Sequence, residues 1–135
     1  MTIPISGLPA ELGFTDLNAK PGSVTASMPV TTRHLAPIGR LHAATAVTLA
    51  DTACGYGCLA SLPEGASGFA TSTITSHHLS TASVDETLLV EARLIHAGRT
   101  TQLWDATVTR ESDSKTVATL RCLQQILYPI PKEPS

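Results

Sequence analysis

The sequence has few charged residues and no large excess of either sign. Only 15% of its 135 residues are Asp, Glu, Lys or Arg, and the formal net charge is −2. This composition lacks the basic excess of a nucleic-acid-binding protein and the acidic excess of a disordered tail. We therefore expect no nucleic-acid partner, and we look for function in a local site rather than in the overall charge.

Cysteines are also scarce, and they form no recognisable pair. Cys54, Cys58 and Cys122 are an odd number without a C-x-x-C spacing, and the start, MTIPISGLPAEL, lacks the basic residues and apolar run of a signal peptide. These absences favour a reducing cytoplasm. Because Cys54 and Cys58 lie four residues apart, they would share a helix face, and we interpret them as core thiols rather than ligands or a disulfide.

No uninterrupted apolar run predicts a membrane span. Residues 40–60 are long enough, but they contain threonines, glycines and a central carboxylate, Asp51. An aspartate at the centre of a membrane helix alone costs about 2.5–3.5 kcal/mol. We therefore expect a soluble protein without a membrane partner.

The length fits one domain, so we predict a single domain over residues 1–135 with the proline-rich residues 129–135 as a frayed tail. Alternation of apolar and polar side chains predicts a strand over residues 23–30. Residues 41–61, which contain Ala and Leu and no proline, predict a helix. Further alternating segments predict strands at 68–80, 87–96, 103–110 and 116–128.

This order of one strand, one long helix and four consecutive antiparallel strands predicts an α+β fold. The helix would cover one face of a meander-like sheet. Its many Ala, Gly and Thr residues would let the sheet curl closely around it. An ordinary surface helix would need charges that this segment does not have.

Asp51 is a charged residue in the middle of a predicted helix that is otherwise made mainly of small and apolar residues. Between Arg40 and Glu64 it is the only residue, apart from His42, that we expect to be charged near neutral pH. A buried carboxylate without a partner pays a large desolvation penalty, so it is neutral, hydrogen-bonded or exposed in a cleft. Asp51 therefore either bonds to a threonine hydroxyl or backbone amide, or serves as a general base or nucleophile of raised basicity.

Backbone amides at the start of the predicted helix, from Leu41 to Ala44, have no acceptor within the helix and carry the positive end of its dipole. Such amides can hold a developing oxyanion. Ala43 and Asp51 lie eight residues apart, which is about 12 Å along a helix and too far for both to act on one carbonyl carbon. If both act, they come from different subunits, so we predict a homodimer with two sites across its interface.

These residues resemble the motif of one enzyme family. The stretch from Ala36 to Asp51, APIGRLHAATAVTLAD, follows the spacing N-x-x-G-x-x-H-G-G-x-x-x-x-L-x-[DE], and HAGRTT at 96–101 is similar to the family's H-x-G-[RK]-[TS] turn. The family is the hotdog-fold acyl-CoA thioesterases of the phenylacetate-degradation (PaaI-like) and 4-hydroxybenzoyl-CoA type. The resemblance spans roughly residues 20–127.

The resemblance implies a hotdog fold, in which an antiparallel sheet of five or six strands wraps one long central helix. It implies hydrolysis of an acyl-CoA thioester to a free acid and coenzyme A, with the Asp51 carboxylate as general base or nucleophile. No metal or redox cofactor is implied, and the protein would be a homo-oligomer, either a dimer or a tetramer.

The resemblance also implies roles for individual residues of this chain. The amides of Ala43 and Ala44 would hold the thioester oxygen, and Thr71 would position water or the Asp51 carboxylate. His42 either takes part in the chemistry or bonds to the backbone and fixes the entering loop. The remaining substrate contacts would be Thr52, Leu79, Gly98, Arg99 and Thr100, the last three near the pantetheine arm or nucleotide.

Several positions depart from the family's pattern. Ala36 stands where relatives have an asparagine that orients water or the thioester, and Ala43 and Ala44 replace paired glycines. Thr81–Asp85 replaces a Pro-x-x-Gly turn. These departures favour a second hypothesis, a non-catalytic acyl-CoA or acyl-carrier-protein binding module on the same fold. A dehydratase of the same superfamily would normally need a histidine with a carboxylate, and no such pair occurs at helix spacing.

Other candidate residues have simpler explanations. His77 and His78 are adjacent on a strand and point to opposite faces, so they cannot chelate a metal together. We predict that His96 and Trp104 continue inward rows of their strands, as core or, for His96, interface residues. Arg99 either contacts a coenzyme A phosphate or is a solvated turn residue.

Overall fold

A six-stranded antiparallel sheet curls around one long helix in the computed structural model, which describes residues 3–131. This confirms the predicted α+β class and hotdog architecture. Of the predicted tail 129–135, residues 132–135 lie outside the described residues. In chain order the elements are α1 (Gly7–Leu12), β1 (Thr15–Lys20), β2 (Ser23–Pro29), a 3-10 helix (Thr32–His34), α2 (Ala43–Ala60), β3 (Gly68–His78), β4 (Thr87–Ala97), β5 (Thr101–Arg110) and β6 (Thr116–Leu127).

The strand order across the sheet is β1-β2-β4-β5-β6-β3. Strands β4, β5 and β6 form a meander joined by two short hairpin turns. The position of β3 differs from a simple meander, because β3 pairs with β6 at the far edge instead of lying beside β4. The chain returns to the middle of the sheet through residues 79–86, and the side-chain periodicity of a strand holds no information about such a crossover.

The N-terminal elements α1 and β1 are not predicted by the sequence pattern. β1 has the sequence TDLNAK, and its side chains are mostly exposed because it is an edge strand that pairs only with β2. α1 has no buried residue. Because neither element has a buried row of side chains, both lack the apolar periodicity that identifies strands and helices in a sequence.

The long helix α2 packs small side chains against the inner face of the sheet. Ala46, Ala50, Ala53 and Cys54 are at most 1% exposed, and Trp104 of β5 is fully buried against the same helix. The expectation that small residues let the sheet approach the helix closely is confirmed, and Trp104 is a core residue as predicted. Neither α2 nor any other helix within residues 3–131 is long and apolar enough to cross a membrane.

The cysteines are free, and all three are buried. A side-chain hydrogen bond with Cys122, together with burial, raises the pKa of the Cys54 thiol. Burial raises the pKa of Cys58 to about 11. Because the thiolate is the reactive form of cysteine, burial and a raised pKa both oppose reaction at Cys54 and Cys58. The interpretation of Cys54 and Cys58 as core side chains is confirmed.

His96 does not continue the inward row of β4, so its prediction as a core residue is wrong, whereas its prediction as an interface residue stays a prediction. Leu88, Val90 and Ala92 are buried as expected, but His96 is exposed. The pairing of β4 with β5 shifts register between Leu94 and His96, where one strand has an extra residue. Such an irregularity displaces the alternation by one position, so that the side chain after it faces solvent.

The outer edge of β3 is unpaired within the described chain. β3 is the last strand in the sheet, and its only partner is β6. Most of its side chains are exposed, among them Thr73, Ile74 and Thr75. An uncovered, β-branched edge strand of this length is a template for pairing with another strand.

Candidate active site

A cleft of about 320 Å³ opens beside Asp51. Three parts of the chain form its walls: α2, the first half of β3 and an N-terminal segment that extends into α1. The cleft is lined by Ile3, Pro4, Ser6 and Pro9 from the N-terminus, Asp51, Thr52, Gly55, Tyr56 and Leu59 from α2, and Phe69 and Thr71 from β3. The structure therefore brings together three residues predicted for the site, namely Asp51, Thr52 and Thr71.

The carboxylate of Asp51 is partly removed from water without compensation. Its Oδ1 atom is buried and makes no hydrogen bond within residues 3–131, so no threonine hydroxyl or backbone amide satisfies it. Burial raises the pKa of Asp51 above the ordinary aspartate value, because a desolvated carboxylate favours its neutral form. A carboxylate of raised basicity in a cleft fits a general base or nucleophile.

The walls beside Asp51 are mainly apolar. At one of them, a ring from β3 packs closely against a glycine of α2. The ring of Phe69 lies against α2 at Gly55, where an added Cβ would stand 3.1 Å from the ring's Cζ atom. Tyr56 and Leu59 continue the apolar surface along the helix. A hydrophobic group could therefore lie along α2 while a carbonyl attached to it stays near Asp51 and the hydroxyl of Thr71.

The N-terminal wall is the part of the cleft that the sequence did not reveal. Pro4 and Pro9 line the cleft, and the Tyr56 hydroxyl donates a hydrogen bond to the Pro4 carbonyl at 3.3 Å. Ile3 and Ile5 in MTIPIS are apolar, but two residues without a longer pattern do not indicate a binding wall.

Of the first three amides of α2, those of Ala44 and Thr45 are hydrogen-bonded and that of Ala43 is free within residues 3–131. His42 is the N-cap residue, and its Nδ1 atom accepts a hydrogen bond from the Ala44 amide at 3.1 Å. The side chain of His42 therefore bonds to the backbone. This is the second of the two roles predicted for His42, in which it fixes the loop that enters the helix. The amide of Ala43 makes no hydrogen bond in the part of the chain that the structure describes. Ala43 is thus the amide that remains available to an oxyanion.

Ala43 does not reach Asp51 within one chain. Both residues lie on α2, eight positions apart, and eight residues of helix span about 12 Å. Ala43 is also absent from the lining of the Asp51 cleft. A site that uses both groups on one carbonyl therefore needs two chains.

The remaining predicted substrate contacts lie outside the Asp51 cleft of this chain. Leu79 is 63% exposed in the loop after β3. Gly98, Arg99 and Thr100 form the turn between β4 and β5, where the Arg99 guanidinium lies 6.0 Å from the centre of the Tyr128 ring. Within residues 3–131, no three His, Cys, Asp or Glu side chains lie together in a way that could hold a metal ion.

Comparison with known protein families identifies the class of the chain. Residues 38–117 match the family model described as the thioesterase superfamily, and this range contains all of α2. The chain therefore belongs to the thioesterase superfamily. The resemblance drawn from the motif is confirmed, and so is the expected class of enzyme, a thioester hydrolase.

Individual relatives agree with this assignment. The chain is 28% identical over 116 residues to a 1,4-dihydroxy-2-naphthoyl-CoA hydrolase of Listeria monocytogenes, covering 86% of this chain and 92% of the relative. The E. coli PaaI protein of the phenylacetic acid degradation operon is 27% identical, with a TM-score of 0.79 over 88% of this chain and 83% of that one. A Streptococcus mutans protein bound to acetyl-CoA is 24% identical, with a TM-score of 0.78 over 88% and 92% of the two chains, and shows the shared fold.

Proposed function

We propose that the protein hydrolyses an acyl-CoA thioester to a free acid and coenzyme A, with Asp51 as the reactive carboxylate. The observation that carries this proposal is the buried, unpartnered Oδ1 atom of Asp51 in an apolar cleft. Membership of the thioesterase superfamily supports the reaction class. Similarity to the 1,4-dihydroxy-2-naphthoyl-CoA hydrolase of Listeria monocytogenes supports an acyl-CoA substrate.

Asp51 acts in one of two ways. As a general base it takes a proton from water, whose oxygen attacks the carbonyl carbon. The carbon–sulfur bond then breaks, and coenzyme A leaves with a proton on its sulfur. As a nucleophile the carboxylate attacks the same carbon, coenzyme A leaves, and water hydrolyses the resulting anhydride. In both routes Thr71 positions either the water or the Asp51 carboxylate, and the amide of Ala43 stabilises the oxyanion.

We further propose that two chains build each site. The separation of Ala43 from Asp51 along α2 supports a site in which Asp51 faces the partner's Ala43. The unpaired edge of β3 offers a surface for this association, since two copies can pair their β3 edges into one continuous sheet. Each homodimer then contains two equivalent sites. A tetramer of two such dimers stays a prediction.

The proposed reaction needs water and no metal or redox cofactor. In the assembled site, the coenzyme A portion of the substrate would contact the exposed Leu79 and the turn formed by Gly98, Arg99 and Thr100. Arg99 would bind one of its phosphates. The free state of all three cysteines supports a reducing, cytoplasmic location.

The proposal is tested by measuring thiol release from a panel of aryl- and aliphatic-acyl-CoAs. We expect wild-type turnover on at least one member, and a loss of about 100-fold or more in Asp51→Asn. Asp105→Asn is the matched control, because Asp105 lies on β5, outside the cleft, and is a partly exposed carboxylate paired with Arg121. Binding of CoA esters without Asp51-dependent turnover on any member would instead identify a non-catalytic binding module, the function that the alanines at 36, 43 and 44 favour.

A further inference from the structure

We propose that the N-terminal segment Ile3–Pro9, held against α2 by Tyr56, sets the length of acyl group that the cleft accepts. The inference rests on the proposed function, since it takes the cleft beside Asp51 as the acyl-binding site. Its structural basis is the third wall of that cleft, which consists entirely of residues from this segment.

The direction of the acyl group follows from the lining on α2. Asp51, Gly55 and Leu59 lie four residues apart on one helix face and all line the cleft. From Asp51 to Leu59 the helix extends about 12 Å. Polar groups lie near the Asp51 end, where Thr52 and Thr71 join the carboxylate, whereas Leu59 and Tyr56 are bulky and mainly apolar. The reacting carbonyl therefore lies at the Asp51 end, and the hydrocarbon extends toward Leu59.

Different contacts hold the N-terminal segment at its two ends. After the segment, the Leu12 carbonyl contacts the Nε2 atom of His34 at 2.8 Å, and the Glu11 carbonyl accepts a hydrogen bond from Arg33. At the other end, within residues 3–131, the side-chain hydrogen bond is the one from Tyr56 to the Pro4 carbonyl. α1, which contains Glu11 and Leu12, has no buried residue.

Two isoleucines of the segment have different surroundings. Ile3 lines the cleft, whereas Ile5 packs against the hydrophobic core. An acyl group too long for the cleft must therefore displace Ile3 and Pro4, and the hydrogen bond from Tyr56 to the Pro4 carbonyl opposes that displacement. Ile3 and Tyr56 are thus specificity-determining residues, while Ile5 contributes to the packing of the core.

The test uses two variants and a matched control. Ile3→Ala enlarges the cleft, Tyr56→Phe removes the hydrogen bond to Pro4 at nearly constant volume, and Ile5→Ala removes a similar volume outside the cleft. For each, kcat/KM is measured on straight-chain and phenyl-terminated acyl-CoAs of increasing length. We expect both cleft variants to shift the preferred length upward and to change the ratio of long to short substrates about tenfold or more. Ile5→Ala is expected to lower the melting temperature without shifting the preferred length.

Binding of the same two series to wild type and variants, measured by calorimetry, separates this inference from the proposed function. A wild type that binds CoA esters without turnover would contradict hydrolysis, yet a length shift in binding by Ile3→Ala and Tyr56→Phe would still support the inference. If both variants keep the wild-type length profile in turnover and in binding, or if no CoA ester binds, the segment does not set acyl length.

Discussion

The indole ring of Trp104 lies directly against the backbone of Gly57 in α2. A Cβ atom added at Gly57 would stand 2.4 Å from Cη2 and 2.6 Å from Cζ3 of that ring. Trp104 is fully buried, so it has no room to move away. The close approach of helix and sheet at this point therefore requires glycine.

Gly57→Ala is expected to lower the free energy of unfolding by about 1–3 kcal/mol, because the extra methyl overpacks the core. The measurement is urea unfolding. Gly55→Ala is the control: both substitutions gain about 1 kcal/mol of helix propensity, but the Cβ at Gly55 meets only the half-buried ring of Phe69, at 3.1 Å. Equal losses at the two glycines would show that the contact with Trp104 is not the cause.

The raised pKa of Asp51 predicts the pH dependence of activity. The carboxylate must be ionised to act as base or nucleophile, so kcat/KM should rise with pH through a pKa above the ordinary aspartate value. The profile is measured with a substrate stable over the acidic range. An acidic limb at or below the ordinary aspartate pKa would contradict a desolvated catalytic carboxylate.

The same pKa predicts the pH dependence of stability. Folded Asp51 keeps its proton to higher pH than the unfolded chain does, so between the two pKa values the folded state binds more protons. This contribution to stability is present at low pH and is lost as pH rises through the folded pKa. Asp51→Asn should therefore unfold at higher urea concentration than wild type near neutral pH, with a smaller difference in acid. A neutral-pH destabilisation would contradict the account.

Gln124 predicts an unusual gain of stability. Its side chain is fully buried on β6, and neither Nε2 nor Oε1 finds a partner within residues 3–131. An unpaired buried amide costs about 1–3 kcal/mol, so Gln124→Met should stabilise the fold by an amount of that order. The cross-strand neighbour Gln102 is the control, because its amide bonds to the Ser61 carbonyl at 2.9 Å and accepts from the Trp104 indole at 2.8 Å.

Gln102→Met is accordingly expected to destabilise the protein, since it leaves a carbonyl and an indole N–H without their partners. Both variants are compared by thermal and urea unfolding. A loss of stability in Gln124→Met as large as that in Gln102→Met would mean that the Gln124 amide is paired in solution.

The sequence predicts the parts of this fold that have a buried row of side chains. Leu88, Val90 and Ala92 alternate with polar residues, and β4 is found where that alternation lies. The carboxylate of Asp51 was identifiable because a charge in an apolar helix requires a physical reason. No such pattern predicts the N-terminal wall of the cleft, because its residues Ile3 and Pro4 belong to no periodic arrangement of apolar side chains.

Two other features depend on interactions that local pattern does not contain. The exposure of His96 results from a register shift against β5, which is a property of the strand pair rather than of β4 alone. The inward position of Gln124 follows the alternation of Cys122 and Ile126, but a buried glutamine contradicts the expected polarity of a core position. The register between two strands and the burial of a polar side chain such as Gln124 are determined by the packing of the whole sheet, which the sequence of one strand does not contain.

The central claim, a site that joins Asp51 of one chain to the partner's Ala43, is tested by mixing two inactive variants. Asp51→Asn removes the carboxylate. Ala43→Pro removes the amide at the first helical position, where proline is favoured, and His42 before it already has extended backbone angles. Removing one oxyanion donor is expected to lower kcat by about 100- to 1000-fold.

The decisive measurement is acyl-CoA turnover after the two variants are unfolded together and refolded as a mixture. Random pairing makes about half of the dimers mixed, and each mixed dimer regains one intact site of two, so about a quarter of wild-type activity should return. Each variant refolded alone should stay inactive. Failure of the mixture to exceed the activity of the separate variants, although mixed dimers form, would contradict a site shared between two chains.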